Sequence, residues 1–159
     1  KDALLDEVID DLEAHTREVM DQVDTIVRSG GDLSPLLWRE LHREHRRGIL
    51  FAVLSAESVD PEHPARFRIS RLRLVYERMT ENYLRAFAEK GQLRPGVDPV
   101  QASRALVSLL LSLPIRSATV GSLQSTPTDS PAEDIRALLE LYLLPAPTGG
   151  TDSPSTPAD

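Results

Sequence analysis

Between Asp98-Pro99 and about Ala118 the sequence specifies a helix that is apolar on almost every side. Asp98 is a capping residue followed by proline at the first helical position, and Gln101 stands three residues after the cap. On a 3.6-residue period Leu106, Leu109, Leu110 and Leu113 fall on one side, and Val100, Val107, Leu111 and Ala118 on another. Only Arg104 and a few serines dilute it. Such a helix has to be covered nearly all round, either by its own chain or by a second one.

The remaining apolar residues also recur with a helical period, and no stretch alternates in the manner of a strand. A first helix is expected over about Asp2 to Ser29, with Leu4, Leu5, Val8, Ile9, Leu12, Val19, Met20, Val23, Ile26 and Val27 on one broad stripe and Gly30-Gly31 as its stop. Ser34-Pro35 opens a second, with Trp38, Leu41, His42, His45 and Ile49 on one face. Gly48 is a candidate break in that run, and Pro61 and Pro64 end it. A long helix from about Pro64 to Lys90 buries Ile69, Leu72, Val75, Tyr76, Met79, Tyr83, Ala86 and Phe87, and stops at Gly91. Ser130-Pro131-Ala132-Glu133 is a capping box that starts the last helix, where Ile135, Leu138, Leu139, Tyr142 and Leu143 share a face. The fold class expected is all-α, an antiparallel helical bundle of about six helices. The folded domain spans residues 1–145. Residues 146–159, rich in Pro, Gly, Ser and Thr, form a disordered tail.

Charge and composition exclude several functions. The net charge is −7, and residues 1–32 alone carry 10 acidic against 3 basic side chains, so this segment is not itself a module that neutralises DNA phosphates. The cluster Arg39, Arg43, Arg46 and Arg47 is interleaved with Glu40 and Glu44 and has no stacking aromatic, as on an ordinary solvated helix face. Without cysteine, and with only four histidines, no metal site is expected, because a metal requires three or four suitable ligands. No phosphate loop, nucleophile elbow or zinc-protease motif occurs, so the chain is expected not to be an enzyme. No cofactor, no membrane span and a cytoplasmic location complete the expectation.

Helix order and three local signatures resemble the C-terminal domain of TetR-family transcriptional regulators. Lys1-Asp2-Ala3-Leu4-Leu5 resembles the start of the family's first sensing-domain helix. Ala56-Glu57 with Asp60-Pro61-Glu62-His63-Pro64-Ala65-Arg66 resembles the joint before its long central helix. Gly91-Gln92-Leu93-Arg94-Pro95-Gly96-Val97-Asp98-Pro99 is similar to its loop into the first dimerisation helix. The resemblance implies an effector-sensing and dimerising domain of a transcription regulator or repressor. DNA would be reached only through a helix-turn-helix head that this sequence does not contain. Where family members often carry Gly or Asp-Gly, this chain has Leu109-Leu110-Leu111.

Two sites follow from that resemblance. A homodimer would be made by the last two helices of each chain as an intermolecular four-helix bundle, through Val107, Leu111, Ile135, Leu138, Leu139 and Tyr142. A small apolar or aromatic effector would sit among Trp38, Leu41, His42, His45, Phe51, Tyr76, Met79, Tyr83, Leu106 and Leu110. On the residues alone, that same stripe is equally a dry core, and the chain a helical dimeric scaffold or adaptor without a ligand. Removing residues 145–159 is expected to leave the melting temperature nearly unchanged, since a Pro- and Ser-rich tail buries little; a drop of many degrees would show the tail to be docked.

Overall fold

The computed structural model describes residues 2–33, 35–36, 39–40, 45–123 and 130–145, and among these the protein is all-helical. The helices are α1 (Asp2–Ser29), α2 (His45–Glu57), α3 (Arg66–Glu89), α4 (Pro99–Thr119) and α5 (Pro131–Tyr142), with a 3-10 turn at Gly121–Leu123. Pro35, Leu36, Arg39 and Glu40, between α1 and α2, are also helical. The rest of the helix expected after Ser34, and the tail from residue 146, lie outside the described residues. None of the described helices is long and apolar enough to cross a membrane.

Local chemistry sets the helix ends. α1 and α3 each finish in a Schellman motif with glycine at positive φ, 69° at Gly30 and 66° at Gly91. In the first, Gly31 N donates to Ile26 O at 2.9 Å and Gly30 N to Val27 O at 3.1 Å; in the second, Gln92 N donates to Phe87 O and Gly91 N to Ala88 O, both at 2.9 Å. Asp98 caps α4 by accepting from Val100 N at 2.8 Å, and Ser130 caps α5 by accepting from Glu133 N at 3.4 Å. The loop before α4 is tied to the end of α5. Arg94 N donates to Tyr142 O and Leu144 N to Gln92 O, both at 2.8 Å, and Arg94 Nε reaches Leu143 O at 3.1 Å.

Gly48 does not break its helix. It lies inside α2, where a Cβ would stand 3.3 Å from Pro114 Cγ, so its place is explained by the close approach of α2 to α4. Pro114 lies within α4 and denies the Leu110 carbonyl its usual donor four residues on.

α4 is the hub, packed against α2, α3 and α5. Ala102, Ser103, Leu106, Val107, Leu113 and Pro114 are buried, and Leu109, Leu110 and Leu111 are half-buried. Its two apolar sides therefore merge into one wide arc that the chain itself roofs. The opposite strip is Gln101, Arg104, Ala105, Ser108 and Ser112, all exposed. Val107 and Ile135, assigned above to a partner subunit, are 1% and 2% exposed within the single chain.

α1 runs alongside α3 in the same direction. Arg68 bonds Glu13 at 2.9 Å, Thr16 meets Tyr76 at 3.3 Å, and Val23 packs in one cluster with Tyr83, so residue numbers rise together along both helices. The acidic outer face of α1 is engaged and not merely solvated. Arg68 also reaches Asp6 and Asp10, Arg71 reaches Glu13, and Arg47 of α2 grips both carboxylate oxygens of Asp11 at 2.9 and 3.2 Å.

Hydrogen bonding to Arg68 holds the Glu13 carboxyl below its ordinary value, and Arg47 does the same for Asp11. The unfolded chain therefore binds these protons more readily. The stabilisation is complete above about pH 4.5, the ordinary glutamate value, and is lost as pH falls through the depressed folded values. Arg68→Gln is expected to lower the melting temperature at neutral pH and to flatten its acid decline, which a series of calorimetric melts from pH 7 to pH 3 would check.

Candidate functional site

The face of α1 that meets the core reads Leu12, Thr16, Val19 and Val23, a four-, three- and four-residue spacing that keeps one side turned inward. These side chains do not close against the opposite helices. They wall a pocket of about 180 Å³ that is partly open to solvent. Leu33 and Leu36 extend the wall beyond α1, and Gly48 and Phe51 of α2 continue it. α3 contributes Leu72, Tyr76, Met79, Thr80 and Tyr83. α4 supplies Leu106, Val107, Leu110, Leu111 and Pro114, and α5 closes the hollow with Ile135 and Leu139. All five helices meet at this one space.

Most of the wall is hydrocarbon, with polar groups at a few points. His15 Nε2 and Glu40 Oε2 are 2.6 Å apart, and Arg39 bonds the other Glu40 oxygen at 2.9 and 3.2 Å while reaching Gln22 at 2.7 Å. Thr16 donates to Leu12 O at 2.7 Å, and Thr80 to Tyr76 O at 2.9 Å. Arg47, also on the wall, is held by Asp11. The Tyr76 ring lies 5.5 Å from Phe51, and the Tyr83 ring meets Phe87 edge-on at 4.8 Å. Burial raises the Tyr76 hydroxyl above its ordinary value despite the bond to Thr16. Burial also pushes Tyr83 up to about 12, with Asp32 adding to the rise. Both phenols are neutral donors at physiological pH.

Six of the residues expected to contact an effector line this one space: Phe51, Tyr76, Met79, Tyr83, Leu106 and Leu110. Trp38, Leu41 and His42 lie outside the described residues. His45 opens α2, but its side chain lies outside them too. Four residues expected at a dimer interface, Val107, Leu111, Ile135 and Leu139, instead belong to the cavity wall. Leu138 and Tyr142 are half-buried and pack around Leu84, Ala102 and Leu106. The wall's polar members His15, Thr16, Glu40, Arg47 and Thr80 were not among the residues expected at the site. For Thr16 a signal was present: it occupies an inward position of the α1 stripe between Leu12 and Val19, and it is 3% exposed.

The lining is mostly hydrocarbon, with polar groups at its edges. Among the described residues no cluster of three or more His, Cys, Asp or Glu could hold a metal ion. No protein-family model, curated protein or solved structure matches the chain.

Because the hollow has spare room, Leu110→Phe is expected to change stability by less than about 1 kcal/mol, where the same enlargement in a close-packed core would cost about 1–3 kcal/mol. Urea melts of the two proteins would decide between a hollow and a solid core.

Proposed function

We propose that the chain is the effector-sensing module of a TetR-like transcriptional regulator. A small apolar or aromatic molecule would fill the central cavity, and its binding would act through α1 on a DNA-binding head preceding this segment. One observation carries the reading: the cavity sits where all five helices meet, and α1 itself forms one side of it. An engineered cavity of about 150 Å³ holds benzene, which sets the size class of the occupant.

Homodimerisation belongs to the same proposal, through surfaces other than those first assigned. α4 leaves the small side chains Ala105, Ser108 and Ser112 outward, and the neighbouring α5 leaves Leu141 66% exposed. Small outward residues let two helices approach closely and bury backbone as well as side chains. The proposal assigns no catalytic role to any residue.

A panel of neutral one-ring aromatic compounds, screened by thermal unfolding, tests the sensing role. Saturation at one hundred times Kd adds about 2.7 kcal/mol, a rise of several degrees for a domain this size. Light scattering at micromolar concentration reads the dimer. A protein that stays monomeric and whose melting is moved by no compound at millimolar concentration would refute the regulator reading.

A further inference from the structure

We infer that a second copy of this chain docks on the outer face of the α1–α3 layer, about a two-fold axis parallel to those helices. This surface is distinct from the α4–α5 surfaces of the proposed homodimer, and the inference does not depend on the sensing role.

Both helices turn an inner stripe to one cavity: Leu12, Thr16, Val19 and Val23 of α1, and Leu72, Tyr76, Met79 and Tyr83 of α3. The opposite stripes therefore look outward on the same side of the pair. On α3 that stripe is Phe67, Leu74, Arg78 and Arg85, all exposed. Phe67 is 85% and Leu74 64% exposed, and the seven positions between them bring both to one line along the helix. Exposed apolar side chains aligned in this way, with arginine beside them, are the composition of an interface. Arg78 and Arg85 share a single carboxylate, Glu81, so positive charge is left over. On α1 the outward stripe is Ala3, Glu7, Ala14, Glu18 and Asp21, also exposed. Beyond the carboxylates clasped by arginine, Glu7, Glu18 and Asp21 enter no ion pair among the described residues. Arg17, the basic residue among them, donates to the Glu13 carbonyl at 3.2 Å. One surface thus carries an acidic stripe beside a basic and apolar one.

Register makes the two stripes complementary. Thr16 meets Tyr76 and Val23 packs with Tyr83, so each α1 residue stands level with the α3 residue 60 positions later. A two-fold axis parallel to the helices keeps that level while laying α1 of one protomer over α3 of the other. Glu18 then faces the partner's Arg78. Ala14 faces the partner's Leu74 and is small enough to admit it. Helical side chains lean toward the helix start, so the partner's Phe67 covers Ala3 and the partner's Arg85 reaches back toward Asp21. Symmetry makes each contact twice. From Phe67 to Arg85 the stripe runs about 27 Å, and two helices are about 20 Å wide. The paired faces project to about 1,100 Å² over both protomers, just above the roughly 1,000 Å² that a specific interface needs, so a dissociation constant of tens of micromolar is expected.

Sedimentation equilibrium of the full chain and of two charge reversals tests the arrangement. Glu18→Arg and Arg78→Glu each set like charges face to face twice, and each is expected to weaken association about tenfold or more. An equimolar mixture of the two variants is expected to recover the wild-type constant, because the mixed dimer holds one native and one reversed pair. Phe67→Ser is expected to weaken association as well, while leaving the melting temperature of dilute protein unchanged, since the ring is exposed in the single chain. Should the α4–α5 surfaces also pair, the wild type is a tetramer and each variant a dimer, so the halving of mass is read in either case. Variants that associate as the wild type does assign any assembly to α4 and α5 and overturn the inference. So does a mixture no tighter than its components, or a wild type that stays monomeric at about 1 mM, well above the expected constant.

Discussion

The burial of α4 by its own chain is the constraint on which the rest of the structure depends. A 21-residue helix with one wide apolar arc needs neighbours on several sides, and α2, α3 and α5 supply them. They do not fit it equally closely. At Gly48 the absence of a side chain lets Pro114 come within contact distance of the α2 backbone. Leu84, fully buried, closes α3 onto Ala102 and Leu106. Between those two tight contacts the helices stay apart by more than the side chains of Leu106, Leu110 and Leu111 fill, and the gap is the cavity. The hollow thus follows from where the close contacts fall.

α1 has a different relation to the core in each half. Its first half carries Asp6, Asp10, Asp11 and Glu13, which are clasped by arginines of α2 and α3. Exposed pairs of this kind contribute little individually, about 0.2–1 kcal/mol each, and act more on register than on stability. The following stretch, from Leu12 to Val23, is cavity wall. Under the proposed sensing role a bound molecule would touch this stretch, and it would shift the helix only by the difference in its affinity for two positions.

Much of this was legible in the sequence because helix ends and helix faces are local properties. Glycines at the ends of α1 and α3, and the serine-proline start of α5, are read from side chains within a few residues, and they stand where the sequence placed them. The aromatic and Met stripe of α3 likewise turns inward, because 3.6-residue periodicity decides which side chains share a face. What periodicity leaves open is which neighbour a face meets. Val107 and Ile135 are inward residues of their helices and were correctly seen as needing cover, but a pattern of leucines does not say whether one chain or two provide it. Leu84 was missed for the same reason: α3 lies between α1 and α4 and so has two buried faces, while a single stripe was sought. Gly48 was taken as a breaker because its role depends on Pro114, 66 residues away in the chain.

The polar wall shows the same limit from the chemical side. His15 and Glu40 lie on separate segments, and only the fold makes them a 2.6 Å pair. That pairing sets the charge along the cavity wall. Had Glu40 or Arg47 been left without an opposite charge, the hollow would favour an ion, and its low-dielectric surroundings would amplify the preference. Because Arg39 meets Glu40, and Asp11 meets Arg47, these charges largely cancel. What remains along the wall is hydrocarbon, and discrimination by apolar shape alone is shallow, about 1–3 kcal/mol per methylene.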